Sequence, residues 1–421
     1  MISFCLRFVY DILGDFRDTC LSFVFMGGSG FSYGLNWALA GQGVIVKDKA
    51  FQNLASSELQ QKGATIAGEF LSGLPLYVRG NVLGGSSDIS KAQYIKLLKQ
   101  ACREVTTHMS SISNVFVHDG AVGSSPESDA KVRVISDSPS AVLKLSSILW
   151  KTPTRAVSHD SCPLTVYVAT SMSPGVIDAI GLVAQGNNGF IAADIERSSL
   201  ILFGKAFSDA NGIKEALAAL SGPIISARGG LLLSARLLAS SDSVILLFAP
   251  EDTIQSCADQ LVSADAGVVL SSQGIVPLFP TGNSNSPDLF KLPAAVILAS
   301  YDSSGIIPSI AKLSPGQAAY HFLAGYQNGE FVPAYSKFPS MDALELAKAF
   351  CGKLKCHKIS TFIVNVNKGQ TRLKGKDLVA LGQSTLSENI PPFEVKGGNL
   401  QEKYRSFLSG KYPRIPEELS F

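Results

Sequence analysis

The stretch from Asp242 to Gly274 most constrains what this chain can fold into. Two continuous apolar runs, residues 244–248 and 267–270, flank a turn and a segment that we predict to be a helix at residues 253–262. Continuous apolar runs are typical of strands that are buried on both faces. A strand, a turn, a helix and a second strand in this order are also the outline of a nucleotide site. The sequence therefore predicts the frame of a phosphate site here.

The turn inside this stretch lacks the usual chemistry of a phosphate site. A phosphate-binding loop is rich in glycine and ends in Lys-Ser/Thr, so that backbone amides and an ammonium group face the phosphates. Here residues 249–252 read Ala-Pro-Glu-Asp, and Gln255-Ser256 stands where Lys-Thr is expected. The carboxylates of Glu251 and Asp252 thus replace groups that attract phosphate.

Helical and strand patterns alternate along the rest of the chain. We predict helices at residues 53–68 and 211–220, the second with Asn211 as its N-cap. Residues 131–136 alternate and predict a strand with one solvated face, whereas residues 294–300 predict a buried strand. Such alternation indicates an α/β protein with a mixed sheet.

Composition limits the partners and the compartment. The 421 residues are 46% hydrophobic and 17% charged, which is enough for a sizeable core in two domains or in one large domain. The net charge of +2 provides no basic field for nucleic acid. The seven cysteines are odd in number and scattered, which favours a reducing compartment. No targeting motif is clear, so the cytoplasm is the default localisation.

Residues 1–46 differ from the rest of the chain. No charged residue occurs from Thr19 to Val46, and this length is enough to span a bilayer. Six glycines interrupt the stretch and dilute its hydrophobicity. We therefore predict a leader of uncertain order rather than a membrane span.

One block of sequence resembles a known family. Residues 293–326 read PAAVILASYDSSGIIPSIAKLSPGQAAYHFLAGY. This is similar to the stretch N-V-I-L-L-A-x-D-A-x-G-V-L-P-P-x-x-K-L, followed by Y-H-F-x-x-G-Y, of ATP-dependent phosphoenolpyruvate carboxykinase. Shorter segments in the same order extend the resemblance thinly from about Phe51 to Lys396.

The resemblance implies a fold and a division of the chain. The expected fold is α/β, a two-domain phosphoenolpyruvate carboxykinase-like fold with mixed sheets and an interdomain cleft. Residues 47–225 would form the N-terminal carboxykinase-like domain. Residues 226–421 would form a nucleotide-binding-like domain with a degenerate phosphate loop.

The family's reaction implies cofactors. It converts oxaloacetate and ATP to phosphoenolpyruvate, CO2 and ADP, a decarboxylation used in gluconeogenesis, with Mg and Mn. Backbone amides and a lysine must hold the phosphates, and carboxylate, histidine and lysine ligands must hold the metals. Arginines must bind the substrate carboxylates. ATP and Mg or Mn are therefore implied by resemblance alone.

The family's phosphate loop, G-L-S-G-T-G-K-T-T-L-S, falls on residues 249–259 of this chain. Thr253 is kept, and Ser256 replaces the first threonine after the lysine, so these two residues are the candidates for cofactor binding. Gln255 replaces the lysine itself. The loop therefore keeps two hydroxyls and loses its cation.

The family's metal ligands are replaced at most positions. Its second nucleotide motif, I-G-D-D-E, falls on residues 269–273, where Ser271 and Ser272 replace the two aspartates. The metal-binding histidine falls on Leu233, and the second lysine of M-K-K-G falls on Lys214. Lys214 is thus the remaining candidate for a catalytic residue and metal ligand.

Three hypotheses follow. In the first, the chain is a non-catalytic relative, a pseudoenzyme that binds or scaffolds a protein partner and holds neither ATP nor metal. In the second, it is an active ATP-dependent carboxykinase with altered ligands. In the third, a small-anion site without nucleotide uses Lys214 and Arg228. None of the three involves nucleic acid.

The candidate residues also have purely structural interpretations. Lys214 fits a solvated helix position, and Thr253 and Ser256 fit the start of a helix. His321, between Tyr320 and Phe322, fits a packed helix histidine. The adjacent pair His159-Asp160 resembles a catalytic triad in composition only, because adjacency in sequence does not produce triad geometry.

Overall fold

A computed structural model describes residues 33–65, 71–78, 81–83, 91–151, 164–172, 175, 189–240, 243–249, 251–258, 261–262, 267–280, 289–303, 307–327, 330–333, 342–368, 371–372, 375–386, 389–394 and 399–421. The predictions made for residues 1–32 and for the pair His159-Asp160 lie outside these residues. The described part is a mixed α/β protein with several mixed sheets, which confirms the predicted fold class.

The helices and strands alternate along the chain. The helices are α1 Tyr33–Gly41, α2 Ser56–Gln61, α3 Lys91–Ser111, α4 Pro139–Ser146, α5 Ala210–Ala227, α6 Glu251–Gln255, α7 Pro315–Leu323, α8 Ala343–His357, α9 Gly375–Ser384 and α10 Asn399–Lys411. The strands of the first half are β1 Lys49–Gln52, β2 Leu76–Val78, β3 Asn81–Leu83, β4 Asn114–Val122, β5 Ala130–Ser136, β6 Trp150–Lys151, β7 Leu164–Ala169, β8 Ile191–Asp194 and β9 Ser199–Phe203. The strands of the second half are β10 Leu231–Leu233, β11 Arg236–Ser240, β12 Ser243–Phe248, β13 Val268–Leu270, β14 Ile275–Pro277, β15 Ala295–Ser300, β16 Ile310–Leu313, β17 Ala324–Gln327, β18 Glu330–Pro333, β19 Ser360–Asn365, β20 Asn367–Lys368 and β21 Thr371–Arg372.

The largest sheet has the strand order β1-β4-β5-β7-β9-β8-β2-β3, with β6 paired to β4. Strands β5, β7 and β9 run parallel to one another, whereas β4 is antiparallel to β5 and β8 is antiparallel to β9. At the two ends of the sheet, β1 is parallel to β4 and β2 is parallel to β8. Apolar residues of α1 and α3 pack on one face, and those of α4 and α5 pack on the other. The core of the N-terminal half therefore has two layers with the sheet between them.

The strand predicted with one solvated face is buried on both faces. Val132 and Val134 of β5 point into the layer with α4 and α5. Ile135 points into the opposite layer, with α3. Arg133 lies two residues before Ile135 in the strand and therefore points to the same face. Arg133 can be buried here because its charge is paired: its Nε atom donates a hydrogen bond to the Asp119 carboxylate on β4, at 2.7 Å. Arg133, one of the polar residues that predict a solvated face, is therefore one member of a buried ion pair.

A second sheet, with the order β11-β12-β15-β19-β16, organises the C-terminal half. Strands β12, β15 and β19 are parallel, and β11 and β16 are antiparallel edge strands. One face packs against α7, α8 and α10, and the other against α6 and α9. Burial on both faces explains why β12 and β15 are continuous apolar runs.

A small antiparallel sheet, β10-β13-β14, lies between the two halves. Leu231 and Val268 belong to the core of the C-terminal half, whereas Leu232 and Val269 belong to the core of the N-terminal half. Successive residues of a strand point to opposite faces, so each face of this sheet closes a different core. The predicted boundary at residues 225/226 falls just before this sheet and stays a prediction.

Two predicted helices have different bounds in the structure. Helix α5 begins one residue before Asn211, and its N-cap is Asp209, whose Oδ1 accepts the amide of Gly212 at 2.9 Å. Of the helix predicted at residues 53–68, the described residues 53–65 form only the short α2, and residues 66–68 lie outside the described part of the chain. Gly63 ends α2 because its φ of 95° is left-handed, the conformation that closes helices at this position.

No helix among the described residues is both long and apolar enough to cross a membrane.

Candidate functional site

The predicted phosphate-loop segment lies at the carboxyl end of β12. This strand is central in its sheet, paired with β11 on one side and parallel to β15 on the other. Helix α6 follows it directly but spans only Glu251–Gln255, so the predicted helix at residues 253–262 is wrong in its bounds. The chain turns at Cys257, whose amide bonds to the Ile254 carbonyl at 3.1 Å. Serine and threonine hydroxyls can hydrogen-bond to nearby backbone groups and so compete with the helical hydrogen bonds, which favours such a short helix.

The two candidate hydroxyls take part in bonds within this helix. The Ser256 Oγ atom donates to the Thr253 carbonyl oxygen at 2.6 Å. Thr253 is almost fully buried, and its backbone amide donates to the Asp252 Oδ1 atom at 2.8 Å. The Thr253 hydroxyl lies 3.5 Å from the same carboxylate oxygen. The structure thus assigns both residues structural bonds, and their role in cofactor binding stays a prediction.

The serines at the second motif shape a turn. The buried Ser271 hydroxyl donates to the Gly274 carbonyl oxygen at 3.1 Å and accepts the Gln273 amide at 3.2 Å. These bonds connect β13 to β14 in the small sheet, which is a different sheet from that of β12. Gly274 permits the close turn, because its φ is 147° and an added Cβ atom would lie 2.0 Å from the Phe290 carbonyl oxygen.

Lys214 and Leu233 are the residues that the resemblance aligns with two further positions of the family's metal site. The Lys214 Nζ atom lies 5.8 Å from the centroid of the Phe279 ring, at the outer limit of a cation–π contact. Leu233 is fully buried at the end of β10 among apolar side chains. The residue that the resemblance aligns with a metal-binding histidine is therefore an aliphatic core residue that cannot bind a metal ion.

Lys214 and Arg228 lie at opposite ends of α5. Fourteen residues separate them, and a rise of 1.5 Å per residue places their Cα atoms about 21 Å apart. Arg228 instead binds Asp129, with Nη1 2.6 Å from Oδ1 and 3.0 Å from the backbone carbonyl oxygen. Burial raises the pKa of the Asp129 carboxyl, and Arg228 opposes that shift. This geometry argues against one small-anion site that uses both cations.

The residues at the motif positions do not fit a metal–nucleotide complex. Within the described part of the chain, no group of three His, Cys, Asp or Glu side chains is placed to hold a metal ion. The family's two aspartates are replaced by the neutral hydroxyls of Ser271 and Ser272. Mg²⁺ is bound mainly through carboxylates, phosphates and water, so these hydroxyls are a weak substitute.

A polar cluster that no sequence motif predicts lies in the N-terminal half. Asp137 follows β5, and its Oδ2 atom lies 3.1 Å from His108 Nε2 on α3. The Ser171 hydroxyl, just after β7, donates to the same carboxylate oxygen at 2.7 Å and lies 3.1 Å from the same ring nitrogen. Burial raises the pKa of Asp137, but hydrogen bonds from His108, Thr170 and Ser171 outweigh it, and the pKa lies below its ordinary value.

This cluster is not a catalytic triad. In a triad, the carboxylate and the hydroxyl bond to different nitrogens of the imidazole. Here both meet at one nitrogen, and the hydroxyl donates to the carboxylate. The cluster therefore anchors the loops after β5 and β7 to α3. Because its members are 29 to 63 residues apart, no local pattern predicts it.

Comparison with known proteins supports the resemblance in one region. A family profile described as phosphoenolpyruvate carboxykinase, the ATP-dependent type, matches residues 265–331, which include the whole of the resemblance block at residues 293–326. The phosphoenolpyruvate carboxykinase (ATP) of Christiangramia forsetii is 28% identical over 115 residues, which are 24% of this chain and 22% of that protein. That of Bacillus cytotoxicus is 29% identical over 116 residues, with the same two shares. That of Novosphingobium aromaticivorans is 39% identical over 62 residues, which are 15% of this chain and 12% of that protein.

These matches cover less than a quarter of the length of each relative. The profile match falls on the region where the sequence motif is most specific, and the α/β architecture with mixed sheets is consistent with this family. Over residues 265–331 the chain therefore resembles the ATP-dependent phosphoenolpyruvate carboxykinases, at low identity and over part of its length.

Proposed function

We propose that this chain is a non-catalytic relative of the carboxykinases, with a binding or scaffolding role toward a protein partner. The observation that carries the proposal is the Asp252 carboxylate at the start of α6. Its Oδ1 atom accepts the Thr253 amide at 2.8 Å. In a phosphate loop, amides at this place are offered to the phosphate. In this chain, the Asp252 carboxylate accepts the hydrogen bond that the amide would otherwise offer to a phosphate.

Charge strengthens this argument. Two unit charges of the same sign about 4 Å apart repel by about 4 kcal/mol at an effective dielectric constant of 20. A phosphate next to Asp252 would experience such repulsion, and Gln255 provides no cation to offset it. The hydroxyls of Ser271 and Ser272 supply no charge for a metal ion that would neutralise the phosphates. These features all disfavour phosphoryl transfer, which depends on electrostatic stabilisation.

Thermal unfolding with ATP and Mn tests the proposal. A ligand at a hundredfold excess over its dissociation constant stabilises the folded state by about 2.7 kcal/mol, which raises the unfolding midpoint. We expect no shift with millimolar ATP and Mn in a protein that unfolds cooperatively. Normal carboxykinase turnover by the pure protein would overturn the proposal and favour an active enzyme with altered ligands.

A matched variant isolates the charge of the turn. Asp252→Asn keeps an oxygen that can accept the Thr253 amide and removes the negative charge. If repulsion alone excludes nucleotide, this variant gains an ATP-dependent shift of the midpoint that the parent chain lacks. If neither chain shifts, the missing lysine and metal ligands dominate. A shift of equal size in both chains would contradict the role that we give to Asp252.

The small-anion hypothesis requires a separate measurement. Phosphoenolpyruvate or oxaloacetate would then raise the unfolding midpoint while ATP would not. Because Lys214 and Arg228 lie at opposite ends of α5, a genuine shift should depend on one of them only. Lys214→Gln and Arg228→Gln identify which one.

A further inference from the structure

Two large apolar side chains at the start of the described chain face solvent. Trp37 is 77% exposed and Ile45 is 71% exposed, more than any other large apolar residue in the part of the chain that the structure describes. The opposite side of α1 is in the core, where Leu35 and Leu39 are buried. We call Trp37 and Ile45 the apolar patch.

The patch is held in place by the fold. After α1 the chain turns back, with the Val44 amide bonded to the Leu39 carbonyl oxygen at 2.9 Å. Gly43 allows this turn through a φ of 81°. The Ile45 amide then donates to the Ser110 hydroxyl on α3 at 3.0 Å. The outward position of both side chains therefore follows from regular contacts of their backbone with the core.

The area of the patch is too small for a stable protein interface. A buried Trp side chain covers at most about 250 Å², so Trp37 offers roughly 190 Å². Even with Ile45 added, this is far below the ~800 Å² per partner that a specific protein complex buries. A lipid surface has no such requirement, because a few apolar side chains can insert one at a time at the headgroup boundary.

The surrounding sequence fits a lipid surface. The patch lies within residues 33–46, which carry no charged side chain. Exposed Lys47 and Lys49 follow at once, with exposed Asp48 between them. Tryptophan prefers the membrane–water interface, and lysines at a membrane surface are attracted to anionic headgroups. We propose that the apolar patch docks on the surface of an anionic phospholipid membrane without crossing it.

Tryptophan fluorescence tests this directly. The chain has two tryptophans, so Trp150→Phe leaves Trp37 as the only emitter. With mixed phosphatidylcholine and phosphatidylserine vesicles, we expect a blue shift of the Trp37 emission and weaker quenching by iodide. Without vesicles, iodide should quench Trp37 strongly. Protection before any vesicle is added would mean that another part of this chain or a second copy covers the patch, and would overturn the proposal.

Sedimentation with the same vesicles tests which residues bind. We expect the full-length chain to sediment with the mixed vesicles, and less at high salt or with pure phosphatidylcholine. The double variant Trp37→Ser, Ile45→Ser should lose this binding at an unchanged unfolding midpoint. Leu386→Ser is the matched control, since Leu386 is 40% exposed elsewhere on the protein, and it should bind as the parent does. Equal binding by the double variant and the parent would overturn the proposal.

Discussion

His321 makes the stability of this protein depend on pH in a way that can be calculated. Its side chain is buried in α7, as the packed helix histidine expected from the sequence, and is surrounded by the rings of Phe393, Tyr404 and Phe421 with centroids 5.2 to 5.4 Å away. Neither ring nitrogen has a hydrogen-bond partner among the described residues. Burial lowers the pKa of His321 to about 3.

The sign follows from proton binding in the two states. In the unfolded chain a histidine accepts a proton below a pH of about 6.5. In the folded protein His321 accepts one only below about pH 3, so between these values the unfolded state binds more protons and stability falls as the pH falls. Each pH unit corresponds to about 1.4 kcal/mol, so lowering the pH from 7 to 5 costs about 2 kcal/mol from this residue.

Urea unfolding of the parent chain and of His321→Phe at pH 7 and pH 5 measures this cost. A phenylalanine keeps an aromatic ring in the cage and removes the titrating group. Titrating groups that do not contact His321 contribute equally to both chains and cancel in the difference. We expect the free energy of unfolding of the variant, relative to the parent, to rise by about 2 kcal/mol between pH 7 and pH 5. An equal difference at the two pH values would refute the reasoning, because it would mean that the imidazole is solvated or paired.

Three further predictions concern stability. Asp119→Ala leaves Arg133 as an uncompensated buried charge and should lower the free energy of unfolding, measured by urea titration, by about 3–5 kcal/mol. As a control, Glu345→Ala breaks an exposed ion pair and should lower the free energy of unfolding by only about 0.2–1 kcal/mol in the same titration. Lys358 ends α8 in the left-handed conformation, with a φ of 53°, so Lys358→Gly should stabilise the protein by about 1 kcal/mol; a loss of stability would show that the Lys358 side chain contributes more than its backbone costs. The pKa of Asp137 lies below its ordinary value, so the stability that it contributes is present above the unfolded pKa near 3.9 and is lost as the pH falls through the lower folded pKa. The difference in unfolding free energy between the parent and Asp137→Asn should therefore shrink as the pH is lowered through that range, and a constant difference would contradict the bonds that we describe.

Much of the fold follows from the sequence by itself because its signals are local. The apolar runs that predict strands at residues 244–248 and 294–300 coincide with β12 and β15 to within one residue. Burial on both faces of a sheet requires such runs, whatever the rest of the chain does. The resemblance of residues 293–326 to the ATP-dependent phosphoenolpyruvate carboxykinases is also visible in the sequence before any contact is known. The prediction that Gln255 stands where a phosphate loop would carry a lysine likewise comes from the sequence alone.

Only the tertiary structure decided how distant residues meet. Because Arg133 pairs with Asp119, strand β5 is buried on both faces, although its sequence predicts one solvated face. The alternating faces of the small sheet close two different cores, although each of its strands looks like any short apolar run. The separation of Lys214 from Arg228 follows from the extension of α5 to Ala227, well beyond its predicted end. Such outcomes depend on packing and on charge pairs between segments far apart in the chain, and periodicity within one segment carries no information about them.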